Sequence, residues 1–146
     1  MLAELHRAAS GDADRVRAFF REYAQGIDVD LSFQDFDTEL ADPLGFYELV
    51  LVAKHGCVAL RRIDGDRCEM KRLFVQPQAR GTGLGRALAQ AVIAHARASG
   101  YRLMLLDTLP TMTEARGLYA SLGFREGEPY RFNPSRGLRI WSSSCS

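Results

Sequence analysis

Hydrophobic residues recur along this chain in two rhythms, and each change of rhythm marks an element. Val16, Phe19, Phe20 and Tyr23 fall on one face of a helix that Ser10 or Asp12 can cap and that ends near Gly26. Ahead of it, Met1–Ala9 alternates poorly and reads only as a short opening strand. A second, shorter helix is predicted over Ser32–Leu40. There Ser32 and Asp35 imitate a capping box, Phe33, Phe36 and Leu40 share a face, and Pro43 and Gly45 end it. From Phe46 the period changes. Phe46–Ala53 is a continuous β-prone run, Lys54-His55-Gly56 a tight turn, and Cys57–Ile63 the returning strand. Asp64-Gly65 marks a second hairpin, and Arg67–Val75 a third strand, so that the three should form an antiparallel meander.

Helical spacing returns with Leu84, Ala87, Leu88, Ala91 and Val92, and Gly100 is the expected stop. Tyr101–Asp107 is a leucine-rich strand. Its connection to Arg67–Val75 runs through that helix and requires a crossover, so the two strands should lie parallel. Thr111 and Glu114 form a capping box for a last helix, with Ala115, Leu118, Tyr119 and Leu122 on its inner face and Gly123 at its end. Pro129 and Pro134 interrupt the stretch after Phe124, Leu138–Trp141 reads as a closing strand, and the serine-rich Ser142–Ser146 has little to pack and is expected to fray. The fold class is α/β: a mixed, mostly antiparallel sheet with helices on both faces.

Composition narrows this picture. The 146 residues contain no internal repeat and no linker, so a single domain spanning 1–146 is expected. A net charge of +1 gives no case for a nucleic-acid partner. Cys57, Cys68 and Cys145 lack paired metal-ligand spacing, which argues against a zinc site or a disulfide framework. Cys57 and Cys68 read as small buried hydrophobes in strands. No apolar run reaches transmembrane length, and Glu4 and His6 do not suit a signal peptide, so the expected compartment is cytoplasmic and no membrane partner is expected.

The chemistry concentrates where the third strand meets the long helix, at Leu73-Phe74-Val75-Gln76-Pro77-Gln78-Ala79-Arg80-Gly81-Thr82-Gly83-Leu84-Gly85-Arg86. A helix N-terminus presents unpaired N–H groups and partial positive charge, and glycines let an anion approach the main chain. A P-loop would need Lys and then Ser or Thr after its last glycine, where this chain has Arg86 and Ala87. A dinucleotide fingerprint spaces its glycines differently. A glycine-rich connector before a core helix is the plainer alternative.

The order Arg80-Gly81-Thr82-Gly83-Leu84-Gly85 resembles the pyrophosphate loop of the GNAT superfamily of acyl-CoA-dependent N-acyltransferases. That pattern is Gln or Arg, two residues, Gly, one residue, then Gly or Ala, and it fits from Gln78 as well. Ala115-Arg116-Gly117-Leu118-Tyr119-Ala120-Ser121-Leu122-Gly123-Phe124 resembles the same family's Ala-x-x-Leu-Tyr-x-x-x-Gly-Phe helix. The succession of elements is similar over nearly the whole chain. The resemblance implies acetyl-CoA as co-substrate, no metal, a small-molecule or peptide amine as acceptor, and a homodimer as an admissible assembly.

It further implies that the backbone of Phe74 and Val75 pairs with the pantetheine arm and that the amides of Arg80, Gly81, Thr82, Gly83, Leu84, Gly85 and Arg86 hold the pyrophosphate. Arg80 and Arg86 would add charge-assisted contacts, or are solvated surface arginines. Tyr119 is implied as the general acid for the leaving thiolate; as an isolated aromatic it would read as core. Glu69 is the candidate base, directly or through water. Strand alternation would put it with Lys71, Leu73 and Val75 on one face. Its other reading is a salt bridge to Lys71 or Arg61.

Two features depart from the family. Met112 stands where it often has an Asn, and Gly117 within a helix costs about 1 kcal/mol relative to Ala, which a close approach of another group would explain. The resemblance places acceptor selection in Gly26–Leu40 and Pro129–Arg136. Asp28, Asp30, Asp35, Asp37 and Glu39 would suit a cationic amine, or form a solvated face. On the other side are Tyr130, Arg131, Asn133 and Arg136. Two alternatives remain: a non-catalytic acyl-CoA-binding or sensing module, and an interaction domain whose loop binds nothing.

Overall fold

The computed structural model describes residues 4–27, 36–108, 113–127 and 139–144. In chain order the elements are β1 (Leu5–Arg7), α1 (Ala13–Ile27), α2 (Phe36–Ala41), α3 (Pro43–Phe46), β2 (Leu49–Ala53), β3 (Gly56–Arg62), β4 (Arg67–Val75), α4 (Leu84–Ala98), β5 (Leu103–Thr108), α5 (Thr113–Ser121), β6 (Arg125–Gly127) and β7 (Arg139–Ser144). Among the described residues the strands form one sheet in the order β1-β2-β3-β4-β5-β7-β6. All neighbours are antiparallel except β4 and β5, which run parallel as the crossover through α4 requires.

Most elements form where the apolar period places them, and the exceptions have local causes. Pro43 and Gly45 do not end structure. Asp42 accepts from the Gly45 N–H at 3.1 Å, and Pro43 takes the first helical position, where no N–H is required, so a short α3 forms. That turn takes Phe46 out of the strand, and β2 begins only at Leu49. Ser142, Ser143 and Ser144 do not fray from the sheet either, and Cys145 and Ser146 lie outside the described residues. Ser142, Ser143 and Ser144 pair with Leu105, Met104 and Leu103, because a ladder is built from main chain and accepts serine. β6 is an additional short strand that the apolar pattern does not mark. The capping residues Ser32, Asp35 and Thr111, the substituted Met112, and the loop from Pro129 to Arg136 lie outside the described residues.

The sheet separates two cores. Leu49, Leu51, Val58, Leu60 and Met104 face Leu84, Leu88 and Val92 of α4, together with Tyr119 and Phe124. On the other face Val50, Val52, Cys57 and Ala59 pack against Val16, Phe19 and Phe20 of α1 and Tyr47. Cys57 and Cys68 are buried thiols within these cores, and neither forms a disulfide among the described residues. No helix among the described residues is long and apolar enough to cross a membrane.

β4 is irregular, and the irregularity changes what it presents. Its register with β3 is regular through Ala59↔Lys71 and resumes at Cys57↔Phe74, so Val58 stands opposite both Arg72 and Leu73. This is a β-bulge, with Arg72 at φ +58°. An extra residue inverts the alternation downstream. Cys68 and Met70 face the α4 core, and beyond the bulge so do Leu73 and Val75, while Phe74 faces α1. Glu69 and Lys71 therefore lie on the opposite face from Leu73 and Val75, which corrects the single-face alternation expected from the sequence.

Candidate functional site

β4 and β5 pair only from Arg67↔Leu103 to Glu69↔Leu105. Past that point, among the described residues, 70–75 has β3 along one edge and no strand along the other. The open edge runs into the glycine loop. Pro77–Ala79 forms a single 3₁₀ turn, and the Thr82 hydroxyl closes the bend by donating to the Ala79 carbonyl at 2.6 Å. Gly81 and Gly83 take φ of +80° and +90°, conformations that a side chain disfavours. Gly83 is the N-cap of α4, and its carbonyl accepts the first helical bond from the Ala87 N–H at 3.0 Å.

The amides that open α4, those of Leu84, Gly85 and Arg86, have no acceptor within the helix. Leu84 supplies only its backbone here, since its side chain is in the core. Gly85 marks where the elements converge. A Cβ there would stand 3.6 Å from Val75 Cγ2 and 3.7 Å from Leu118 Cδ2, so the end of β4, the start of α4 and the middle of α5 meet at one place. The site thus joins an unpaired strand edge to a helix N-terminus, a shape that suits an extended amide-bearing arm ending in an anion.

The loop arginines are both exposed and both engaged. Arg80 Nε donates to the Val75 carbonyl at 3.2 Å, and Arg86 Nη2 donates to Ser121 Oγ at 2.8 Å, tying α4 to α5. Tyr119 sits one residue from Leu118, 7% exposed, its ring edge-on to Phe124 at 5.8 Å. Gly123 at φ +100° and the bond from the Phe124 N–H to the Tyr119 carbonyl end α5 where the sequence places its stop. Burial pushes the Tyr119 phenol pKa up, with a smaller push from the Tyr23 phenol, so the hydroxyl is protonated at neutral pH. A Cβ at Gly117 would meet nothing within 4 Å, so no close approach within the described chain explains that glycine.

Glu69 lies across the sheet from the Leu73–Val75 side. It has no exposed surface, and Arg61 Nη1 donates to its Oε1 at 3.3 Å, the cross-strand salt bridge that its position opposite Arg61 allows. Among the acidic residues of the Gly26–Leu40 stretch and its helix, Asp28, Asp30 and Asp35 lie outside the described residues, and Asp37 is exposed. Glu39 is neither on a solvated face nor open to a cationic acceptor. It is completely buried and holds Arg72.

Three polar contacts around the site are not foreseen in the sequence: the Glu39–Arg72 pair, the stacking of Tyr23 and Phe36 on Arg72, and a link from Glu22 of α1 to Gln76, whose Nε2 donates at 3.1 Å. The one sequence signal for the first is an arginine inside a β-prone run, directly before Leu73-Phe74-Val75. No group of three or more His, Cys, Asp or Glu among the described residues could hold a metal ion.

Residues 46–126 match the family model described as an acetyltransferase (GNAT) domain. The chain is 42% identical over 134 residues to an uncharacterised N-acetyltransferase of Schizosaccharomyces pombe, with 84% of this chain and 82% of that protein covered. A GNAT-family acetyltransferase from Staphylococcus aureus Mu50 superposes with a TM-score of 0.82 at 18% identity, covering 98% of this chain and 99% of that one. The structure of yncA from Salmonella typhimurium, with its cofactor acetyl-CoA, superposes with a TM-score of 0.72 at 21% identity, covering 100% of this chain and 95% of that one. At these identities the two structural likenesses speak for the fold.

Proposed function

The chain belongs to the GNAT acetyltransferase family, and from that premise we propose that it transfers an acetyl group from acetyl-CoA to an amine, with Tyr119 as the acid for the leaving thiolate. The observation that carries this reading is the junction at Gly85. There an unpaired β4 edge, the open amides of α4 and the helix bearing Tyr119 come together. An anchored pyrophosphate at Gly81–Arg86 and an arm paired along Phe74 and Val75 would bring a thioester towards α5. Arg80 now occupies the Val75 carbonyl, so pairing along β4 releases its guanidinium to the phosphates.

When bound, acetyl-CoA supplies an activated acetyl thioester. The chain's own part is to hold, to orient and to move protons. The backbone cradle fixes the thioester carbonyl for attack by the amine nitrogen. As the C–N bond forms and the C–S bond breaks, the Tyr119 hydroxyl gives its proton to the departing sulfur and regains one from solvent. The attacking amine must shed a proton too. Glu69 is the acceptor we assign. With no exposed surface and Arg61 on its carboxylate, it acts through an intervening water and not by direct contact. The acceptor itself is a small-molecule or peptide amine.

Release of free thiol from acetyl-CoA, followed across polyamines, aminoglycosides, amino acids and lysine peptides, tests the proposal. Turnover above the hydrolysis background with any of them supports it. Saturable acetyl-CoA binding without turnover across the whole panel would favour a binding or sensing module. With the active amine in hand, Glu69→Gln should lower kcat/KM most at low pH, where the amine is hardest to deprotonate, and spare acetyl-CoA binding. Wild-type rates at every pH would leave Glu69 to its salt bridge.

A further inference from the structure

Arg72 is the one non-glycine residue with positive φ in the described chain. Left-handed backbone sets Cβ against the following carbonyl oxygen, and arginine lacks the short polar side chain that lets Asn or Asp tolerate it. Something beyond the residue must therefore hold it there. Its Nε donates to Glu39 Oε2 at 2.8 Å and its Nη2 to Glu39 Oε1 at 2.9 Å, a two-bond fork that fixes the plane of the guanidinium as well as its place. Its Cζ lies 5.4 Å from the Tyr23 ring centroid and 5.5 Å from that of Phe36. Its carbonyl accepts from the Cys57 thiol at 3.5 Å. Glu39 and Arg72 are 0% and 4% exposed.

An apolar pair of the same volume could join α2 to β4 as firmly as this ion pair does. What the fork adds is direction, and it is applied at the residue where β4 changes parity. The bulge falls between the last β4–β5 pair, Glu69↔Leu105, and the glycine loop. Without it, Leu73 and Val75 would face α1, and Val75 could not stand against Gly85 and Leu118.

We infer that Glu39 is a positioning residue: by gripping Arg72 in the left-handed conformation it sets the bulge, and so aims the Leu73–Val75 edge along which the acetyl-CoA arm pairs. This rests on the reading of that edge as the cofactor's. Glu39 touches no reacting atom and acts through Arg72.

Glu39→Leu combined with Arg72→Met keeps buried volume and removes the fork. The double variant should melt in one transition. Its amide hydrogen exchange at residues 73–75, measured without ligand, should be faster by about tenfold or more, and its acetyl-CoA Kd by calorimetry weaker by about the same factor. Val16→Ala, in the same core but away from the fork, should lower Tm and move neither readout. Wild-type protection and wild-type affinity in the double variant would overturn the inference. If that variant does not fold, Glu39→Asp keeps the charge and shortens the reach. Faster exchange at 73–75 there supports the inference, and unchanged exchange overturns it. Because exchange needs no acetyl-CoA, a wild type that fails to bind it, beside a variant that still loses protection, would overturn the cofactor reading and leave the lock standing.

Discussion

A phenol is nearly inert as an acid in neutral water, yet it is well matched to a leaving thiolate that it can meet without solvent between them. Tyr119 is buried against Phe124, and burial pushes its pKa above its ordinary value. The sign is definite. A raised pKa keeps the hydroxyl protonated through the neutral range, and the acid is lost only as pH rises beyond the usual phenol value of about 10. Tyr119→Phe keeps the ring and its packing and removes only the proton donor. We expect kcat to fall by about 10²–10⁴-fold, with Tm and acetyl-CoA affinity near wild type. A fully active Tyr119→Phe chain would sink the proposed acid. Tyr119 is legible in the sequence because a motif carries it. Arg72 and Glu39 are not, because nothing in the local pattern shows that a strand arginine bends the backbone or that a glutamate in an acidic helix is buried 33 residues away from its partner. One unseen bulge is enough to reverse the face assigned to Glu69.

Elements are more legible than their ends. Arg67–Val75 is read to the residue, since an apolar strand ending at proline has little freedom about where to stop. The start of β2 is missed because Asp42 and Pro43 form a cap that propensity alone scores as a break. The end of β7 is missed because pairing, not packing, decides whether serines join a sheet. The strand–loop–α4 unit is legible throughout, its glycines marking both the bend and the start of the helix. Gly83 has a backbone reason for being glycine: at φ +90° a valine would be a genuine outlier. Gly83→Val should therefore shift the cap, cost about 1–3 kcal/mol of stability, and weaken acetyl-CoA binding by about a hundredfold or more while the fold remains. Unchanged affinity by calorimetry would remove the loop from the site.

For the molecule as a whole, the decisive fact is that one sheet serves two cores with alternate residues of the same strands. Along β2 and β3, Leu49, Leu51, Val58 and Leu60 belong to the α4 face, and Val50, Val52, Cys57 and Ala59 to the α1 face. Neither face can lose its helices without loosening strands on which the other depends. The site inherits this coupling, because β4 feeds both cores and carries the open edge between them. The two faces should then unfold together, although α1 and α4 share no core. Phe20 tests this from the side remote from α4: it is fully buried and packs edge-on against Tyr47 at 5.9 Å. Phe20→Ala should cost about 3–5 kcal/mol through lost transfer energy and the cavity left behind. For a chain of this length that lowers Tm by about 6–20 °C. The melt should stay a single transition, with far-UV ellipticity and Trp141 fluorescence falling at the same temperature, since Trp141 lies on β7, at the other side of the sheet from β1. If ellipticity fell in two steps, with the Trp141 signal following only the second, the α1 face would be an independent unit. The sheet would then not be the element that makes the domain one.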